Sequence, residues 1–127
     1  MPVRGIRGAT VAAADTPEAI RAATRELMLA LVAENGLVPE DVASVIFTLT
    51  PDLTAEAPAR AARELGWQEA ALMCMSEMNA AGGLERCIRV LIHWNCDKRM
   101  DQIHHVYLHA AGQLRPDRAV RNNGQAA

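Results

Sequence analysis

The chain has 127 residues, half of them hydrophobic and 22% charged, which suits one globular domain and excludes a disordered chain or two independent cores. Thirteen Lys and Arg against fifteen Asp and Glu leave a net charge of −2, so no basic field draws in nucleic acid or anionic lipid. The only aromatics are Phe47, Trp67, Trp94 and Tyr107, too few for base-stacking platforms or aromatic cages.

Val3 to Ala13 alternates loosely and contains two glycines, as in a strand that passes close to another element. Thr16-Pro17-Glu18 reads as a helix start, with a capping hydroxyl, a proline at the first helical position and an acid at the positive dipole end. Ile20, Ala23, Leu27, Ala30 and Leu31 then form one apolar stripe, and Asn35-Gly36 ends the helix. Val42 to Thr50, rich in Val, Ile, Phe and Thr, is a buried strand stopped by Thr50-Pro51-Asp52. Ala55 to Leu65 is a second helix, its start restricted by Pro58 and its end marked by Gly66.

A third strand is expected at about Ala70 to Met75, a glycine-bearing loop at Asn79 to Gly83, and two more strands at Cys87 to Asn95 and His105 to Ala111. The fold class is α+β: a five-stranded mixed sheet with two helices on one face. Two helices leave the other face open unless a further subunit packs there, so oligomerisation is expected. Residues 1–117 form the single domain, and the polar, aperiodic stretch 118–127 is expected to be a flexible tail.

Cys74, Cys87 and Cys96 are spaced by thirteen and nine residues without a C-x-x-C pair, which points to neither a disulfide framework nor structural zinc. No apolar run approaches the roughly 20 residues of a membrane span. A cytoplasmic protein with no membrane partner is the expectation.

In the strand Cys87 to Asn95, Arg89, Leu91 and His93 share one side, so Arg89 is a cation within an otherwise apolar strand. It is either an anion binder in a poorly hydrated setting or one half of a surface ion pair. His105, Tyr107 and His109 share a side of the last strand, and the two polar sides are candidates to line one site. Arg7 lies beside glycines that allow close approach to the backbone, and Glu77 ends the third strand, either at a site or in a solvated turn. Cys74 has no adjacent base and reads as packing before nucleophile. The four histidines form no helical metal pair or catalytic triad, and neither Gly82-Gly83 nor Gly5-x-x-Gly8 completes a nucleotide-binding loop. What remains is a surplus of anion binders, Arg7, Arg60, Arg63, Arg89 and Arg115, with one carboxylate and one phenol. That set suits a small polycarboxylate held electrostatically, with no cofactor and no metal.

The blocks Arg4-Gly5-Ile6-Arg7-Gly8-Ala9-Thr10, Thr50-Pro51-Asp52-Leu53, Pro58-Ala59-Arg60-Ala61-Ala62-Arg63, Cys74-Met75-Ser76-Glu77-Met78, Cys87-Ile88-Arg89-Val90, His104-His105-Val106-Tyr107-Leu108 and Leu114-Arg115-Pro116-Asp117 stand in family order. From Val3 to about Asp117 the chain resembles the monofunctional bacterial chorismate mutases of the trimeric pseudo-α/β-barrel type, the AroH class. The resemblance implies a cytoplasmic homotrimer with active sites between subunits and a cofactor-free Claisen rearrangement of chorismate to prephenate in aromatic amino-acid biosynthesis. It assigns Arg89 to the ether oxygen and a carboxylate, Arg7 and Tyr107 to carboxylate, Glu77 to the ring hydroxyl and the developing positive charge, and Cys74 to the side of that hydroxyl. Arg63 and Arg115 resemble mouth residues. Two departures stand out: Ala57 occupies a position often aromatic in the family, and Arg60 one that is Lys in some relatives. The alternatives are an enamine or imine deaminase of the YjgF type, which lacks the R-G-I-R-G and C-M-x-E-M blocks, and a non-catalytic trimer that binds an anionic metabolite.

Overall fold

The computed structural model describes residues 1–78 and 83–118. Five strands, β1 (Val3–Val11), β2 (Val42–Leu49), β3 (Ala71–Ser76), β4 (Cys87–Asn95) and β5 (Val106–Tyr107), form one sheet in the order β3-β2-β4-β1-β5. The sheet is mixed: β4 runs antiparallel to both β1 and β2, whereas β2–β3 and β1–β5 are parallel pairs. Two helices, α1 (Pro17–Asn35) and α2 (Ala59–Glu64), complete the α+β fold expected from the sequence.

Thr16 caps α1 by accepting the Ala19 N–H at 3.1 Å, and Gly36, at φ 68°, closes the other end by returning its N–H to the Val32 carbonyl. A left-handed residue at that position is what glycine supplies without a Cβ penalty. Ile20, Thr24, Leu27, Met28, Leu31 and Asn35 are the buried stripe, and they pack on the sheet side carrying Ile6, Val45, Phe47, Ile88, Val90 and Ile92. The contact is close at Gly8, where an added Cβ would lie 3.1 Å from Leu27, Leu31 and the Val106 carbonyl alike. Asn35 also sews the chain before β5 to the helix end: its amide donates to the His104 carbonyl and its oxygen accepts the His104 N–H, each at 2.8 Å.

α2 is shorter than the alanine-rich stretch suggests, since Pro58 leaves Ala59 as the first helical residue. The segment before it is held from outside the helix. Asp15 accepts the Thr54 N–H, the Thr54 hydroxyl and the Ala55 N–H at 2.9, 2.9 and 3.0 Å, and Arg21 grips Glu56 with Nε at 2.7 Å and Nη2 at 3.2 Å.

The last strand departs most from expectation. Instead of running from His105 to Ala111, it pairs only at Val106 and Tyr107, because His109 takes a left-handed φ of 53° and opens a 3-10 turn over His109–Gln113. The expected stretch 79–82 of the glycine loop and the tail beyond 118 lie outside the described residues; Arg118 itself ends a 3-10 turn, Pro116–Arg118. Among the described residues, no helix is long and apolar enough to cross a membrane.

Candidate active site

Alternation along the strands gives the helix-free side of the sheet its own composition. One row crosses it as Met75, Thr48, Arg89, Ala9 and Tyr107, from β3 to β5. The next row runs Met73, Ile46, Leu91 and Arg7. Glu77, just past the end of β3, is drawn toward the first row by its N–H, which donates to the Leu49 carbonyl at 2.8 Å. These rows floor an open cleft of about 990 Å³ lined by Arg7, Thr48, Asp52, Glu77, Cys87 and Arg89 among others.

At the centre, Glu77 Oε1 accepts the Thr48 hydroxyl at 2.7 Å and lies 3.0 Å from Arg89 Nε. The Thr48 bond is aligned, whereas the buried Arg89 Nε lacks the geometry of a hydrogen bond. Glu77 is thus fixed by a neutral donor and paired electrostatically with a guanidinium whose best directions are not spent on it. Arg89 is ion-paired, and it also lines the cleft.

The start of β4 is fastened to the end of β2. Thr50 N–H donates to the Cys87 carbonyl at 3.0 Å, Thr50 Oγ1 accepts the Cys87 N–H at 2.9 Å, and Asp52 accepts the Arg86 N–H at 2.8 Å. Arg86 sits at φ 50°, a conformation costly for a residue with a Cβ, and the Asp52 bond holds it there. The Thr50 hydroxyl on Asp52, with the Arg86 N–H behind it, keeps the Asp52 carboxyl below the ordinary carboxylate range. Cys87 at the cleft is a poor nucleophile, since burial pushes its thiol up.

Tyr107 does not line an open polar strip with His105 and His109. Its ring is buried with Ala9 and Ala111 under Leu84 and Leu114, and its hydroxyl has no hydrogen-bond partner among the described residues. His105 Nδ1 accepts the Arg7 N–H at 2.9 Å, and His109 turns away to Glu26 of α1 at 2.6 Å. The shared polar side therefore does not form, and the left-handed turn at His109 is the reason.

The other expected residues divide between two places. Arg115 is close to the Tyr107 cluster through Leu114 and is gripped by Asp117, whose hydrogen bonds raise its pKa further above the ordinary value. Ala57, Arg60 and Arg63 belong to the helix layer on the far side of the sheet. Ala57 and Arg63 are exposed, and Arg60 pairs with Glu56 at 3.2 Å and Glu64 at 3.5 Å. Cys74 also faces that side, half-buried against the helix-side core and paired in register with Phe47. One chain thus brings together Arg7, Glu77 and Arg89, with Tyr107 beside them, and keeps Cys74, Ala57, Arg60 and Arg63 apart from them.

The model of the chorismate mutase type I family matches residues 3–118. Two relatives named chorismate mutase AroH align over nearly their full lengths. The one from Bacillus subtilis is 47% identical over 97% of this chain and 98% of its own, and the one from Thermus thermophilus is 51% identical over 91% and 95%. The chain belongs to the chorismate mutase type I family. A solved chorismate mutase from Clostridium thermocellum superposes with a TM-score of 0.84 at 48% identity, covering 86% of this chain and 97% of that one. The α+β sheet described above is therefore this family's fold.

Sequence reasoning missed the residues that hold the acid and the strand start. Thr48 carries no local signal, because its contact with Glu77 exists only through the β2–β3 register. Asp52 was visible as part of a strand stop, but its bond to Arg86 spans thirty-four residues.

Proposed function

We propose that this protein rearranges chorismate to prephenate in a site assembled between copies of the chain, on the way to Phe and Tyr. The observation that carries the reading is the convergence of Arg7, Glu77 and Arg89 on one cleft in a chain that belongs to the chorismate mutase type I family. The reaction breaks a C–O bond and forms a C–C bond in one pericyclic step, so the site has to select a folded conformer and stabilise separating charge.

Arg89 donates to the ether oxygen as it becomes negative and also reaches a carboxylate. Glu77, fixed by Thr48, accepts from the ring hydroxyl and faces the developing positive charge. Arg7 and the Tyr107 hydroxyl take carboxylate, and that hydroxyl's lack of a partner among the described residues supports the assignment. Arg115 closes the near side of the site. Cys74, beside the ring hydroxyl, Ala57 in the apolar wall, and Arg60 and Arg63 at the mouth come from the helix side of a neighbouring chain. No catalytic proton transfer is required of any of them.

This division supports a homotrimer. The helix-free side also exposes Met73, Met75 and Val3, apolar groups that a second copy removes from water. The test is direct: purified protein is mixed with chorismate and the loss of its ultraviolet absorbance is followed together with the appearance of prephenate. Chorismate that persists at the uncatalysed rate overturns the reading.

A further inference from the structure

We infer that Asp117 is the internal occupant of a carboxylate subsite at Arg115 and weakens substrate binding there; the inference rests on the reading of the cleft as a chorismate site. Arg115 Nε donates to Asp117 Oδ1 at 3.1 Å and Nη2 donates to Oδ2 at 2.9 Å. Two parallel bonds to one carboxylate are the arrangement by which a guanidinium takes any carboxylate, including one on a ligand. The two residues are separated only by Pro116, whose fixed φ presents the acid at short range with little chain entropy left to lose.

The surroundings mark Arg115 as the functional partner and Asp117 as the displaceable one. Arg115 is half-buried and follows the Leu114 that packs over Tyr107. Asp117 is exposed at the middle of its turn. An arriving substrate carboxylate competes for the same two donors, and the pair it displaces is a solvent-facing one of modest strength. The displacement burdens the bound substrate and the transition state equally, so it acts on KM and leaves kcat alone. An acid that merely oriented Arg115 would act the other way, since its loss would weaken binding.

The experiment is a kinetic comparison of wild type, Asp117→Asn, Arg115→Ala and the double variant, with thermal melts to show that all are folded. Asp117→Asn should lower the KM for chorismate about 1.5- to 5-fold at low ionic strength with kcat unchanged, a gain that shrinks as salt is added. In the Arg115→Ala background the same substitution should change nothing. A KM that rises or stays the same in Asp117→Asn, or a gain that persists without Arg115, overturns the proposal while leaving the mutase reading intact. A wild type that does not consume chorismate defeats that reading instead. The subsite is then decided by titrating the same chains with malonate: tighter binding by Asp117→Asn that requires Arg115 supports it, and equal binding overturns it.

Discussion

Arg89 shows how a single side chain separates catalysis from binding. Its Nε lies 3.0 Å from Glu77 without hydrogen-bond alignment, so the pair holds the two side chains together and leaves donors for a ligand. If the guanidinium meets the ether oxygen mainly as the C–O bond breaks, the contact is stronger in the transition state than in the ground state. Removing one preorganised donor costs on the order of 10²- to 10³-fold in kcat in other enzymes, and Arg89→Ala also removes a charge. We expect Arg89→Ala to fall at or beyond that range and Arg89→Lys, which keeps the charge but loses the fork, to recover only part of it. Steady-state kinetics on folded protein decide the point; a change confined to KM would contradict the role. Arg89 was legible in the sequence as a cation within an otherwise apolar strand, and Glu77 as an acid at a strand end. Their meeting was not, because it depends on β2 pairing with β3 on one side and with β4 on the other.

At the scale of elements, the glycines of the first strand differ in purpose. Gly5 faces the helix-free side, where an added Cβ would make only an ordinary contact with Leu91 at 3.8 Å, whereas Gly8 is enclosed by α1 and the Val106 carbonyl. Gly8→Ala should therefore cost about 1–3 kcal/mol by overpacking, read as a lowered midpoint in urea, and Gly5→Ala should leave the midpoint of the isolated fold nearly unchanged. Carboxylates hold the loops around α2 and β4, and they respond to acid. Asp15 is held below the ordinary carboxylate range chiefly by the Thr54 N–H, Asp52 by the Thr50 hydroxyl and Glu56 by Arg21. With folded values below unfolded ones, the unfolded chain binds more protons as pH falls through about 4, so this stabilisation is present above that pH and lost below it. The melting temperature should be level above about pH 5 and drop below about pH 4, and Asp15→Asn should shrink the drop. A drop as steep in Asp15→Asn as in the wild type would remove Asp15 from the account. The same scale shows what the sequence left unread. α1 was legible from cap to cap because its signals are local, but β5 was overdrawn because alternation continues past Tyr107 while the left-handed turn at His109 ends the pairing.

The whole molecule raises the question of why two of the five anion-binding arginines, Arg60 and Arg63, face away from the rest. The sheet itself lies between Arg89 and the layer that carries Arg60 and Arg63, and no side-chain motion within one chain carries a guanidinium through a close-packed sheet. A neighbouring copy solves this by presenting its helix side to the first copy's cleft. Such a contact is head-to-tail, and closing it by rotation gives a ring, of which the homotrimer is the proposed case. The arrangement is open to complementation. An Arg89→Ala chain supplies an intact helix side, and an Arg60→Ala/Arg63→Ala chain supplies an intact cleft. Each variant alone should assemble and turn over poorly. When equal amounts are unfolded together and refolded, random assembly places an intact cleft against an intact helix side in about a quarter of the sites, and activity should recover toward about that fraction of wild type. Mixing without unfolding should recover less, in proportion to subunit exchange. If the residues acted within one chain, co-refolding would return only the average of the two weak variants, and light scattering would be free to report an active monomer; either result removes the shared site.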